Sequence, residues 1–416
     1  MSPTFYIWTI GCQMNKAESE RLADHLENLG YKPVENAEAA DLILLNSCVV
    51  RQNAENRVIN KLKALNAIKK SRPNVVIGLT GCIIEKSKAK IKETFPYVDY
   101  LFPPGEFPEW LGGTQSKSAL PSLTQTATYV PIMQGCNNFC AYCIVPYTRG
   151  RERSRPVDEI VCEVNSLVTN GVKEITLLGQ NVDSYGRNLP GEPDLADLLN
   201  ILNSLNGLMR IRFLTNHPKD MKIKLIDSIA RLDKVCEQIN LPIQAGDNDV
   251  LKAMRRGYTV EHYRQLINEI RSRVPRISLS TDIIVGFPGE TAQQFQNTFD
   301  LLQEIRFDMV HVAAYSVRPG TLAAREMKDD VPQDVKKERL ERIEQLQAKI
   351  AGEINAELLN KTVEVLVEKR EKGKWSGRTR GDKLVFFTEK GNYQSCLINL
   401  KITHTSPWSM RGILSS

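Results

Sequence analysis

Three cysteines near the middle of the chain follow one another at the spacing C-x3-C-x2-C. They are Cys136, Cys140 and Cys143, in the stretch GCNNFCAYC of residues 135–143. Thiolates this close in sequence can surround one small iron–sulfur cluster, which usually has four cysteine ligands. Three local ligands would leave one iron open to a small molecule. A zinc site, the alternative, favours C-x2-C pairs with a matching pair downstream, which the chain lacks. The spacing therefore predicts a fold that presents a cluster-binding loop.

Three further cysteines each follow a predicted strand in the first part of the chain. Residues 1–118 alternate short apolar runs with amphipathic helical patterns, which is typical of a small α/β domain with a parallel sheet. The runs lead into Cys12, Cys48 and Cys82. Because ligands of such sheets lie at the carboxyl ends of the strands, these cysteines can converge in space. The pattern favours a second cluster with three protein ligands over ordinary buried cysteines.

The segment 119–353 repeats a strand–helix unit about six times, which predicts an open (β/α)6 barrel. Polar residues recur where these strands end, and barrel enzymes carry their functional groups at that edge. Before this segment, residues 103–126 are rich in Pro, Gly, Ser and Thr, which is typical of a linker. His217 is interpreted as a structural hydrogen-bonding residue, since a lone histidine more often has that role than a catalytic one.

The last segment, 354–416, contains about five short strand patterns and predicts a small antiparallel barrel of OB type. The net charge of +6 is concentrated here, because residues 361–416 hold 11 Lys/Arg against 5 Asp/Glu and the remainder holds 44 against 44. A neutral body with a basic appendage indicates binding of a polyanion; a solvated basic face is the alternative. The candidate RNA-binding cations are Arg149, Arg151 and Arg153 after the cysteine loop, and Arg378, Arg380 and Lys383 in the last domain.

The chain shows no run of apolar residues long enough to span a bilayer and no basic region followed by an apolar core at its start. We therefore expect a cytoplasmic protein without membrane contact. Nine cysteines in a reducing compartment are expected to be metal ligands more often than disulfides. Cys162, Cys236 and Cys396 are assigned to packing.

With both cysteine sets in place, the chain resembles the methylthiotransferases of the radical SAM superfamily over essentially its whole length. The resemblance rests on GCQMN at 11–15, NSCVVR at 46–51, TGC at 80–82, the three central cysteines, PYTRG at 146–150, LGQN at 178–181, NHPKD at 216–220 and the segment 282–290. The ending GRTR at 377–380 resembles that of the TRAM domain, an RNA-binding module. Within the family, the first and the NHPKD motifs favour the branch that modifies tRNA.

The resemblance implies two [4Fe-4S] clusters and S-adenosylmethionine (SAM) as cofactors. The central cluster would reduce SAM to a 5′-deoxyadenosyl radical, which removes hydrogen from C2 of N6-isopentenyladenosine at position 37 of tRNA. The cluster on Cys12, Cys48 and Cys82 would supply sulfur, and a second SAM the methyl group. An aromatic C–H bond is too inert for acid–base chemistry, so no catalytic residue is expected beyond the clusters. The expected SAM contacts are Tyr142, Gln180, Gln244, Gly286 and Glu290. The expected partners are the anticodon loop of tRNA, an external electron donor and a sulfur source.

Two departures from the family pattern affect substrate details rather than the reaction class. Ala245 stands where the family usually has serine, and Val317 where it has proline. Two alternatives therefore stay open. The same chemistry could act on threonylcarbamoyl-adenosine or on an aspartate of a ribosomal protein, although the basic tail argues against the latter. A non-enzymatic iron–sulfur protein that binds RNA or senses redox state would leave the barrel unexplained.

Overall fold

The first domain of the computed structural model is a five-stranded parallel sheet flanked by helices. The structure describes residues 2–47, 52–111 and 125–415. The elements of this domain are β1 Thr4–Ile10, α1 Gln13–Asn28, β2 Lys32–Pro33, β3 Leu42–Ser47, α2 Gln52–Ser71, β4 Val76–Gly81, α3 Ile83–Thr94 and β5 Tyr100–Leu101. The strand order is β2-β1-β3-β4-β5, with every pair parallel. Separate apolar clusters pack against the two faces of the sheet, as burial of both faces requires in a parallel sheet.

The second domain confirms the expected open barrel. Its elements are β6 Ala127–Pro131, β7 Met133–Gln134, α4 Val145–Thr148, β8 Arg153–Ser154, α5 Val157–Thr169, β9 Glu174–Leu178, α6 Leu195–Asn203, β10 Arg210–Phe213, α7 Ile223–Arg231, β11 Gln238–Asn240, α8 Asn248–Ala253, α9 Val260–Arg273, β12 Ser278–Val285, α10 Ala292–Ile305, β13 Met309–Ala314, α11 Leu322–Glu326 and α12 Gln333–Ala356. Two three-stranded parallel sheets, β6-β9-β10 and β11-β12-β13, are joined by a bridge between Ile211 and Val235. The result is a curved row of six parallel strands around one large apolar core.

The third domain is a closed five-stranded barrel. Its strands are β14 Thr362–Glu371, β15 Lys374–Thr379, β16 Leu384–Phe387, β17 Leu397–Thr405 and β18 Met410–Leu414. The ring order β14-β15-β16-β18-β17 is the strand order expected of an OB-type barrel. One pair, β16 with β18, is parallel rather than antiparallel. A ring of five strands cannot alternate direction all the way round, so one parallel pair is unavoidable.

The expected boundary between the first two domains, at 118 and 119, lies outside the described residues, as does most of the expected linker. The division into 1–118, 119–353 and 354–416 remains a prediction.

Candidate metal centres

The C-x3-C-x2-C loop leaves the barrel at the carboxyl end of β6 and is closed at its base by the short antiparallel pair β7–β8. Inside the loop, the Cys136 N–H donates to Gly150 O at 3.2 Å and the Cys143 N–H to Cys140 O at 3.0 Å. At its start, Gly135 has a φ of +83°, and a Cβ there would lie 2.1 Å from Arg151 O. Only glycine fits this turn, so the backbone itself fixes the direction in which the cysteines leave the barrel.

A buried arginine faces this loop from the barrel. Arg256 Nη1 donates to Cys140 Sγ at 3.3 Å, Nη2 donates to Pro242 O at 2.8 Å, and Nε donates to Tyr258 Oη at 2.8 Å. Burial raises the pKa of Cys136 to about 11 and that of Cys143 to about 12, and the neighbouring thiols add to both shifts. The three thiols thus lie in one environment, with the Arg256 cation beside Cys140. Thiols of this kind suit a site whose ligands lose their protons only when they bind iron.

The second cysteine set lies at the carboxyl edge of the first sheet. The strand register aligns Ile10 with Ser47 and Ser47 with Gly81. Each of these three residues stands one or two positions before an expected cysteine ligand. Below this edge, Asn15 and Asn46 hold each other: Asn15 Nδ2 donates to Asn46 Oδ1, and Asn46 Nδ2 donates to Asn15 O, both at 2.9 Å. Cys12 and Cys82 therefore lie at the same edge of the sheet, and their role as ligands stays a prediction. Cys48 lies outside the described residues.

Arg149 joins the two sets and is not at the surface, where an RNA contact would have to be. Its Nε donates to Cys82 Sγ at 3.2 Å, and its Nη1 and Nη2 donate to the two carboxylate oxygens of Glu18 at 2.6 and 3.2 Å. The expected RNA contact is thus corrected. Helix α4, which begins two residues after Cys143, carries the guanidinium into the first domain, where Glu18 compensates its charge. Ile144 packs into the apolar core of that domain and anchors the same segment.

The donor set fits iron–sulfur clusters better than single ions. Among the described residues, no three His, Cys, Asp or Glu side chains are grouped closely enough to hold one metal ion. Three thiols on one loop are suited to a multi-iron cluster with cysteine ligands. The second centre needs Cys48 as well, and its ligand set remains a prediction.

Gly81 gives a direct test of the second centre. A Cβ at Gly81, whose φ is +96°, would lie 2.1 Å from Ser47 O, whereas a Cβ at Gly30, with a φ of +87°, would meet no atom within 4 Å. We expect Gly81→Ala to displace Cys82 and to lower the iron content per chain, and Gly30→Ala to cost only about 1 kcal/mol of stability. Iron analysis of both reconstituted variants checks this. Equal iron contents would contradict the placement of Cys82 beside the second cluster.

The expected SAM contacts lie along the carboxyl edge of the barrel, but most of them also have partners in the protein. Gln180 Oε1 accepts the Gly135 N–H at 2.5 Å and so supports the cysteine loop. Glu290 accepts the Gly286 N–H and Arg339 Nη1, both at 2.6 Å, and so ties the glycine turn to α12. Half-buried Tyr142 packs edge-on against Phe287, and Gln244 lies in a left-handed turn with a φ of +77°. Direct contact of any of these residues with SAM stays a prediction.

A buried polar network occupies the ends of β9 and β10. Asp183 accepts Asn216 Nδ2 at 2.6 Å and the His217 N–H at 2.7 Å. Burial raises the pKa of Asp183 to about 7, despite these two donors. Burial, and then the charge of Arg256, lowers the pKa of His217 to about 3. His217 is therefore neutral, and its Nδ1 accepts the Lys219 N–H at 3.3 Å. Its structural role stays a prediction.

These two shifts oppose each other in the pH dependence of stability. Native Asp183 keeps its proton up to about pH 7 while the unfolded carboxyl loses it near 4, so its contribution falls as pH rises through that window. Native His217 stays neutral down to about pH 3 while the unfolded ring is charged below about 6.5, so its contribution rises with pH. We expect Asp183→Asn to make the unfolding temperature rise more steeply between about pH 4 and 6.5. Parallel pH slopes for variant and wild type would contradict the buried carboxylic acid.

The basic turn of the third domain, which carries Arg378, Arg380 and Lys383, lies against the amino-terminal edge of the six-stranded barrel. This edge is opposite the cysteine loop. Arg380 pairs with Glu237 at 2.7 Å and Lys383 with Asp308 at 2.6 Å, and these acids precede β11 and β13. Arg378 pairs with Asp382 at 3.1 Å. Their placement argues against RNA contact by these three cations, because partners within the chain already occupy their charges. Arg151 and Arg153 are exposed, with Arg151 stacked 4.4 Å from the Phe139 ring centroid, and remain candidates.

Sequence reasoning missed Arg256 and Glu18, the partners that give each centre its charge balance. Arg256 stands in an Arg-Arg-Gly run directly after α8, and Glu18 stands six residues after Cys12. Glu18 is thus close in sequence to a candidate ligand, whereas Arg256 lies 116 residues from Cys140, and no local signal pointed to it.

Comparison with known proteins agrees with this geometry. A family model described as "Radical SAM superfamily" matches residues 130–302, and one described as "Uncharacterized protein family UPF0004" matches residues 4–103. A tRNA-2-methylthio-N(6)-dimethylallyladenosine synthase from Dehalococcoides mccartyi is 53% identical over 412 residues, 99% of this chain and 98% of that protein. The chain belongs to the radical SAM methylthiotransferase family. A synthase of the same name from Chloroflexus aurantiacus is 50% identical, with 98% of this chain and 91% of that protein covered.

Solved structures support the fold of this methylthiotransferase. The radical S-adenosylmethionine methyltransferase TsrM from Kitasatospora setae, with cobalamin and a [4Fe-4S] cluster bound, superposes with a TM-score of 0.56 at 13% identity. The match covers 90% of this chain and 81% of that one. Family membership implies SAM and one [4Fe-4S] cluster as cofactors of this chain.

Proposed function

We propose that this methylthiotransferase adds a methylthio group to C2 of N6-dimethylallyladenosine at position 37 of tRNA. The full-length relatives carry that activity in their names. The structural observation that supports it most is the hydrogen bond from Arg149 to Cys82, because it brings the segment after the radical SAM loop into contact with the second cysteine set. A radical centre and a sulfur-donating centre must act on one base, so they must lie close together.

The chain's own residues divide the work between two clusters. Cys136, Cys140 and Cys143 would hold the cluster that binds SAM and supplies the electron for its cleavage. Cys12, Cys48 and Cys82 would hold the second cluster, which supplies sulfur. The contacts that support this division are the backbone bonds within the first loop and the aligned strand ends beneath the second set.

The choice of base can be tested by offering two tRNA pools, one bearing N6-dimethylallyladenosine and one bearing N6-threonylcarbamoyladenosine. The expected result is a methylthio product from the first pool alone, detected by mass spectrometry of the nucleosides. A product from the second pool alone would favour the alternative substrate and would overturn the proposed one. A non-enzymatic role is not favoured, given the identity to named synthases along the whole chain.

Cations on exposed faces are proposed to bind the tRNA backbone. Arg151 and Arg153 lie beside the cysteine loop, and exposed Lys401 and Arg411 belong to β17 and β18 of the third domain. The same domain exposes Trp408, which is 51% exposed. Exposed cations beside aromatic faces are the usual elements of a single-stranded RNA surface.

We expect Arg151→Ala and Arg411→Ala each to weaken tRNA binding and to reduce the salt dependence of log Kd by about one. The matched control is Lys63→Ala, since Lys63 is exposed on α2 of the first domain and belongs to neither group of proposed cations. Filter binding at several salt concentrations measures both quantities. An unchanged slope in Arg151→Ala, or an equal change in Lys63→Ala, would refute this surface.

The proposed reaction needs an external electron donor and a source of replacement sulfur, and its tRNA substrate places it in the cytoplasm. Within the described ranges, none of the helices combines the length and the apolar character that a bilayer span requires.

A further inference from the structure

Each cysteine set has one buried arginine that donates to a cysteine sulfur: Arg256 to Cys140 at 3.3 Å, and Arg149 to Cys82 at 3.2 Å. The two arginines differ in one respect. The oxygen acceptors of Arg256 are neutral, the carbonyl of Pro242 and the hydroxyl of Tyr258, whereas both terminal nitrogens of Arg149 bind the carboxylate of Glu18. Arg149 thus belongs to a buried ion pair that lies against Cys82.

We propose that the buried Arg149–Glu18 ion pair sets the reduction potential of the second cluster. The inference rests on the proposed function, in which Cys82 is a ligand of that cluster. Hydrogen bonds to ligand sulfurs and nearby charge are two means by which a protein shifts the potential of such a cluster. Arg149 supplies both, and Glu18 offsets its charge.

Burial strengthens the effect of the Arg149 and Glu18 charges on the potential of the second cluster. The side chain of Arg149 is 3% exposed and that of Glu18 is 8% exposed. Charges in such surroundings are little screened by solvent or salt. Removing either partner would leave the other as an uncompensated charge next to the cluster, and the two removals leave charges of opposite sign.

The location of the pair also links the potential of the second cluster to the contact between the barrel and the first domain. Arg149 belongs to the segment that follows the radical SAM loop, and Glu18 belongs to α1, which begins one residue after Cys12. The potential of the second cluster therefore depends on how the barrel sits against the first domain. A shift of α4 away from α1 would remove the sulfur hydrogen bond and separate the pair.

The test is a redox titration of the full-length, two-cluster protein, followed by electron paramagnetic resonance. Arg149→Gln should lower the midpoint potential of the second cluster, because it removes a donor and leaves Glu18 unpaired. Glu18→Gln should raise it, because it leaves the Arg149 cation unpaired. The double variant restores the charge balance and should show only the smaller lowering due to the lost N–H···S bond. The other cluster should keep its potential in all three.

A purely structural pair would shift the potential in the same direction in both single variants or in neither, and either result would overturn the inference. If Arg149→Gln fails to assemble a second cluster, Glu18→Gln alone decides, since an unchanged potential there contradicts the proposal. Iron content separates this outcome from failure of the proposed function. Wild-type protein should hold about eight irons per chain, as two four-iron clusters require. About four irons and a single redox signal would overturn the proposed function and the inference with it.

Discussion

Replacing Cys12 or Cys82 with alanine is expected to abolish methylthio insertion while 5′-deoxyadenosine continues to form. The two reactions separate because the thiols belong to different domains. Cys82 follows β4 of the first sheet, whereas Cys136, Cys140 and Cys143 follow β6 of the barrel. The backbone bonds that shape the barrel loop do not involve Cys12 or Cys82. Anaerobic turnover with tRNA, SAM and a reductant measures both products in one sample.

Cys162→Ala is the matched control, because Cys162 is an exposed cysteine on α5 that belongs to neither set. Its exposure, like that of Cys396, corrects the assignment to packing, which holds only for buried Cys236. It should retain both products. Loss of 5′-deoxyadenosine together with the methylthio product in Cys12→Ala would show that the second set is needed for SAM cleavage, against the division of roles. Cys82→Ala is the harder case, since it also removes the acceptor of Arg149 Nε and leaves that donor buried.

Replacing Cys140 with alanine is expected to abolish both products. Cys140 is the middle one of the three proposed ligands and accepts Arg256 Nη1, so its removal leaves two thiols and a buried cation without its sulfur partner. Two local ligands are too few to hold a cluster that also reserves one iron for SAM. The readout is the same assay, with iron content as a second measurement. About half of the wild-type iron should remain, on the second cluster alone.

Cys236→Ala serves as the control for this variant, because Cys236 is a buried barrel cysteine remote from the loop. It should keep its iron and both activities at a modest cost in stability. Formation of 5′-deoxyadenosine by Cys140→Ala at the wild-type rate would rule out the assigned ligand set.

Local patterns in the sequence were enough to predict the three architectures, while the ligand roles of the two cysteine sets stay a prediction. The repeated strand–helix pattern predicted the parallel sheets of the first two domains, and both are present. The position of Cys12 and Cys82 at one edge followed from a general property of parallel sheets. These predictions succeeded because each depends on residues that are close together in the chain.

The charged residues could not be placed in the same way. Arg149 pairs with Glu18 across 131 residues, and Arg380 with Glu237 across 143. The charge balance of the last segment indicated a polyanion site but could not reveal that the most prominent cations neutralise acids at the far edge of the barrel. A net charge counts side chains, whereas binding depends on which of them remain unpaired after the domains pack.

The measurement that tests the central claim most directly is mass spectrometry of nucleosides from tRNA bearing N6-dimethylallyladenosine, after anaerobic incubation with reconstituted protein, SAM and a reductant. The two-centre account predicts a new 2-methylthio-N6-dimethylallyladenosine together with 5′-deoxyadenosine. Formation of 5′-deoxyadenosine with the tRNA unchanged would contradict it, because the two proposed centres would then not act together on this base.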